Sequence, residues 1–160
     1  MANKLIANPR ATNRDKAEAH YYKGKLAMKS KSYTVAETAF KKVKTLIDNA
    51  WAAESHYQLA YILYERRNLD KAQEMALSFS ADYPDYIDWY ARSIILLADI
   101  FAEKDDLFNA KASLESVIDN YEGDQTIIDM AKVKLQKLKQ LGKDRSRINN
   151  NASDGDMEDN

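Results

Sequence analysis

The sequence predicts an all-α chain: three consecutive helix pairs and a C-terminal capping helix, stacked into a right-handed superhelix. Three observations carry that prediction. Glycine and proline are scarce, four and two in 160 residues, which disfavours the tight turns of an all-β chain and any glycine-rich phosphate loop. Apolar residues recur at i, i+3/i+4 and i+7, as in Ile94, Leu97, Ala98 and Phe101, which is helical spacing. The chain also repeats itself. With Ala36, Ala72 and Ala110 in register, 36 and 38 residues apart, three other columns agree. A large apolar residue precedes each alanine by three (Tyr33, Leu69, Leu107). A small one precedes it by twelve (Gly24, Ala60, Ala98), and an apolar one follows it by seven (Val43, Phe79, Val117).

The elements follow in order. Residues 1–14 are polar, contain Pro9 and read as a flexible N-terminal arm. Helix pairs then span about 15–30 and 33–47, 51–66 and 69–81, and 87–103 and 107–121, joined within each pair by short polar links such as Lys31-Ser32 and Arg67-Asn68. Thr34 with Glu37 has capping-box spacing, Asp70 with Gln73 is its acidic analogue, and Asp85 precedes the third pair. The capping helix covers 125–141, with Ile127, Ile128, Ala131, Leu135 and Leu138 on one side and lysines on the other. Gly142 fits a helix stop. The tail 142–160 has too little apolar content to offset its ordering entropy and reads as disordered, with its acidic end available to dock on the lysine-rich first repeat. At Gly24, Ala60 and Ala98 the first helix of each pair can approach its partner closely, so neighbouring pairs stack with an inner and an outer face.

Composition narrows the chemistry. There is no cysteine, which excludes disulfides, thiol catalysis and cysteine-ligated zinc or iron–sulfur sites. No apolar run approaches the ~18 residues of a membrane span, so direct membrane insertion is not expected. The net charge of −1 conceals blocks of +8 (1–44), −11 (45–131), +6 (132–147) and −4 (154–160). Lys23, Lys25, Lys29, Lys31, Lys41, Lys42 and Lys44 could touch phosphates, but the adjacent acidic block would repel the same backbone, so nucleic acid is not the expected partner. His20 and His56 occupy one repeat position on neighbouring helices about 8–10 Å apart, too far to share a metal ion, and read as packing histidines. Asp105-Asp106 and the trio Asp82, Asp85 and Asp88 read as capping and solubility. No catalytic triad, Walker loop or dinucleotide fingerprint is present, so neither enzyme activity, cofactor nor metal is expected.

These columns resemble the tetratricopeptide repeat (TPR), whose unit is small at position 8, alanine at 20, aromatic near 24 and alanine-like at 27. Gly24, Ala36, Phe40 and Val43 fit in the first copy (about 17–50). Leu59, Ala60, Ala72, Ala76, Phe79 and Pro84 fit in the second (53–86), and Leu97, Ala98, Phe101, Ala110, Leu114 and Val117 in the third (91–124). The spacing is longer than the family's, and histidine stands where tryptophan is typical. The third copy also resembles the final repeats of long multi-TPR proteins of the bacterial envelope. That would imply a fragment in the periplasm or cell envelope; otherwise the cytoplasm is implied.

The resemblance implies a non-enzymatic scaffold that binds a protein or peptide along an inner wall supplied by first-helix positions. Carried over by position, that wall includes Tyr21, Lys25 and Lys29, then Tyr57, Tyr61 and Tyr64, then Arg92 and Asp99. Tyr57, Tyr61 and Tyr64, spaced four and three, share one helix face, and tyrosine suits interfaces. Tyr21 and Lys25 stand where a chaperone-tail clamp would need lysine and asparagine, which disfavours that ligand. The bland alternatives are that the rings only pack between neighbouring helices, or that the repeats merely cap a longer solenoid and bind nothing.

Overall fold

The computed structural model describes residues 2–155, with side chains described over 4–144 and at Arg147. The described residues form eight helices and no strand. These are α1 (Ala2–Ile6), α2 (Asn13–Lys29), α3 (Tyr33–Leu46), α4 (Ala50–Glu65), α5 (Leu69–Asp82), α6 (Ile87–Glu103), α7 (Leu107–Asn120) and α8 (Gln125–Gly155).

The three pairs α2–α3, α4–α5 and α6–α7 are closed by one turn used three times. The second residue of each three-residue link has positive φ: Lys31 at 53°, Arg67 at 61° and Asp105 at 65°. Each donates its N–H to a carbonyl three residues back (Met28, Tyr64, Ala102), and the next residue donates to one five residues back (Ala27, Leu63, Phe101). That is the Schellman closure, which satisfies helix-end carbonyls; here non-glycine residues hold the left-handed position.

Each helix packs on the next. Along one row, α2 also touches α4, α4 touches α6 and α6 touches α8, whereas the backbones of α3, α5 and α7 stay apart. Three of the four columns read from the sequence are buried, and the fourth, Tyr33, Leu69 and Leu107, is half-buried. Ala36, Ala72 and Ala110 are fully buried, as are Gly24, Ala60 and Ala98. A Cβ on Gly24 would stand 2.6–2.9 Å from the Phe40 ring, closer than real contacts allow. Leu59 and Ile62 join Ala36 and Phe40, Leu96 and Ile100 join Ala72 and Ala76, and Ile127, Ala131 and Leu135 of α8 close the third pair around Leu114 and Val117.

The junction between the first two pairs contains a buried polar network. His56, 2% exposed, lies between Lys44 of α3 and the carbonyl of Met75 on α5. Its Nε2 is 2.8 Å from that carbonyl and so carries the proton, which leaves Nδ1 to accept from the Lys44 ammonium at 2.7 Å. Asp82 stands 3.5 Å from Nδ1, and the Lys44 ammonium lies 5.5 Å from the centre of the Tyr83 ring. Packing is thus the observed role of His56.

Three expectations need correction. The cap spacings at Thr34/Glu37 and Asp70/Gln73 are not caps. Glu37 pairs with Lys41 and Arg66, and Thr34 accepts from Arg66. Asp70 and Gln73 both accept from Lys104, so these residues bridge successive pairs. The caps are instead Thr12 with Asp15, Asn49, and Asp106. Second, residues 1–14 are not all loose arm: α1 packs on α2, and α2 begins at Asn13. Third, α8 does not stop at Leu141 but runs through Gly142 to Gly155. No glycine among the described residues takes a positive φ, so Gly142 continues the helix despite a cost of ~1 kcal/mol relative to alanine. Residues 156–160, with most of the acidic tail, lie outside the described residues.

Two tests follow from this packing. Gly24→Ala should lower stability by about 1–3 kcal/mol in chemical denaturation, because the added methyl overlaps Phe40. His56 has its pKa lowered, first by burial and further by the Lys44 charge, against the opposing pull of the Met75 carbonyl and Asp82. Its folded value therefore lies below the unfolded ~6.5, so the stability it contributes is present above pH ~6.5 and is lost as pH falls through the folded value. Urea midpoints should decline over that window, and His56→Gln should flatten the decline. An unchanged slope would move the titration to His20, whose pKa is lowered as well.

Candidate functional site

Asn49 starts α4 by accepting from the backbone N–H groups of Trp51 and Ala52. The helix then carries Glu54, Tyr57, Tyr61 and Tyr64 along the side that meets α2 and α6. The three tyrosines form a continuous file, with ring centres 6.5 Å apart for Tyr57–Tyr61 and 6.2 Å for Tyr61–Tyr64. All are half-buried against Ala60, Leu97 and their neighbours. Burial raises the hydroxyl pKa of each, and for Tyr61 a hydrogen bond with Glu65 adds to the rise. All three hydroxyls are therefore neutral at physiological pH.

The file continues onto α6. Trp89 packs on Tyr57 with centres 5.3 Å apart, and the Arg92 guanidinium lies 5.5 Å from the Trp89 ring centre. At the other end, Tyr64 borders a cleft of about 220 Å³ shared with Asp99, Ala102 and Glu103. Asp99 is clamped by Lys134 of α8 at 2.6 and 2.8 Å, and burial, partly offset by this lysine, raises its pKa. Glu103 pairs with Arg67 at 2.8 Å.

Tyr21 and Lys25 form a separate cluster at the α2–α4 contact. Both bond the buried carboxylate of Glu54, and the Lys25 ammonium lies 5.6 Å from the Tyr21 ring centre. Tyr21 stacks on Trp51 with centres 5.7 Å apart. Lys29 is exposed beyond this cluster. Five of the eight wall residues thus gather on α4 and α6, Tyr21 and Lys25 adjoin them through Glu54, and Lys29 stands apart.

Two of the tyrosines hold neighbouring first helices together. Tyr21 on Trp51 and Tyr57 on Trp89 are the same contact made twice, since Tyr57 follows Tyr21 by 36 residues and Trp89 follows Trp51 by 38. Tyr61 and Tyr64 have no tryptophan against them. The reading from sequence missed Trp51, Trp89 and Lys134. The two tryptophans were detectable, because their separation matches a repeat interval. Lys134 was not, because only the fold brings it to Asp99.

The arrangement presents aromatic faces and paired charges. Among the described residues, no group of three His, Asp or Glu could hold a metal ion, and no helix is long and apolar enough to cross a membrane. No protein-family model matches the chain, and no curated protein matches it.

The division of labour along the file can be measured. Tyr57→Ala removes a ring wedged between Tyr61 and Trp89 and should cost about 3 kcal/mol in urea unfolding. Tyr64→Ala, at the open end, should cost no more than about 1 kcal/mol. Equal losses would show that Tyr64 is as much a packing residue as Tyr57.

Proposed function

We propose that the chain is a non-enzymatic protein-interaction scaffold of TPR type, in which α2, α4 and α6 form the concave wall of a right-handed superhelix. An extended or helical segment of a partner protein lies along the tyrosine file. The supporting pattern is the repeat itself: small residues at each close approach, and a row of first helices in mutual contact beside second helices whose backbones stay apart. The single observation that carries the reading is the pair Tyr61 and Tyr64. They stand side by side on the middle pair, half-exposed, with carboxylates of Glu65, Asp99 and Glu103 around them. Tyrosine joins a large contact area to a polar tip, and interface energy concentrates in such central aromatic patches. Tyr21, Lys25 and Arg92 extend the wall to either side, Lys29 marks its basic end and Asp99 its acidic end.

A second reading, a structural cap of a longer solenoid with no ligand of its own, is favoured by α2. Leu26 is 69% exposed, whereas its register mates Ile62 and Ile100 are buried against the preceding pair. Tyr22, 58% exposed, likewise matches the buried Leu96. That face is shaped for another pair of helices.

The readings separate by experiment. A partner is captured with the whole chain and identified, and its affinity is measured. Tyr61→Ala should weaken it by roughly thirtyfold, the ~2 kcal/mol typical of a true anchor, with the variant's thermal stability checked in parallel. A folded Tyr61→Ala protein that keeps full affinity would remove the groove and move the binding site to the outer face or the tail, whereas the capture of no partner would favour the cap.

A further inference from the structure

A cavity of about 380 Å³ opens between α6 and α7, on a different face of α6 from the tyrosine file. Ile87, Tyr90, Ile94 and Val117 make its apolar floor, and Asn120 and Glu122 stand at its rim. Its meaning comes from the same place one pair earlier. Subtracting 38 residues carries Ile94 to His56, Val117 to Phe79, Asn120 to Asp82 and Tyr121 to Tyr83. There the space is full. Phe79 is fully buried with its ring centre 5.5 Å from that of His56, and Lys44 enters from the preceding second helix. The Lys44 ammonium meets His56 and lies against the Tyr83 ring.

In the third pair the filling is gone. Valine replaces phenylalanine at 117, and the register mate of Lys44, 36 residues on, is Ser80, too short to reach in. Of the groups around the Lys44 ammonium, the tyrosine persists as Tyr121, whereas Ile94 stands for His56 and Asn120 for Asp82. Tyr121 remains, its hydroxyl bonded to Asp88, and Glu122 adds a carboxylate at the mouth. The carboxylates at the mouth, Glu122 on the rim and Asp88 on the Tyr121 hydroxyl, favour a cation.

The geometry points to a docking site for a lysine side chain from a basic segment of a partner protein. The aliphatic stem lies on Ile87, Ile94 and Val117. The ammonium sits against the Tyr121 ring, as Lys44 sits against Tyr83 one pair earlier, and meets the Asn120 side-chain carbonyl and Glu122. This site does not depend on the tyrosine file.

The test uses the whole chain with labelled isoleucine and valine methyl groups, and two blocked peptides, Gly-Ser-Lys-Ser-Gly and its norleucine analogue. The lysine peptide should shift the Ile94 and Val117 methyl signals saturably and bind at least roughly fivefold more tightly than the neutral analogue. Glu122→Gln should weaken it by a similar factor, and added salt should do the same. Ser80→Lys, a change at an exposed position, should refill the cavity from within and weaken the peptide roughly tenfold or more. Absence of saturable shifts at these methyls would overturn the proposal. So would a norleucine peptide that binds equally well, or full affinity in Ser80→Lys.

Discussion

The close approach of the paired helices governs everything else in this molecule. Gly24, Ala60 and Ala98 have almost no side chain, so the helices of a pair can settle together with bulky partners such as Phe40 and Leu114 alongside. A ring seated directly on a glycine backbone leaves no room for lateral sliding, because interiors pack at crystal-like density and tolerate overlap poorly. Once that distance is set, the turn between the helices must be short. All three copies then use the same three-residue closure, even though it places lysine, arginine and aspartate in a conformation better suited to glycine. Packing dictates the turn here, and local preference yields.

Much of the architecture was legible because it rests on spacing. Three of the four columns around Ala36, Ala72 and Ala110 are buried, since a helix buries the same face in each copy. The ends of elements were less legible. Glu37 carries a capping spacing, yet Arg66 and Lys41 claim its carboxylate once the second pair is in place. Gly142 carries a stop signal, but a helix ends at glycine only where the chain turns to the left-handed region, and nothing turns it there. Of the wall, Tyr57, Tyr61 and Tyr64 could be found by counting, whereas the buried carboxylate of Glu54 joining Tyr21 and Lys25 needed the meeting of two helices.

The tyrosines show how one residue type divides its work by position. Tyr21 and Tyr57 each face a tryptophan of the next first helix and hold the row together. Tyr61 and Tyr64 continue the same file beyond that contact, where their faces meet carboxylates and open space. A surface built this way is stiff at its base, because the anchoring rings are locked by stacking. Side chains ordered before a partner arrives have little rotational freedom left to lose on binding.

The backbones of the second helices stay apart, while those of the first helices meet. Mechanically, the array resembles a leaf spring with a continuous strip along one edge and separate ribs along the other. Bending that strip strains few contacts between the ribs, of which Lys44 against Tyr83 is one. The cavity between α6 and α7 opens into the space beside a rib.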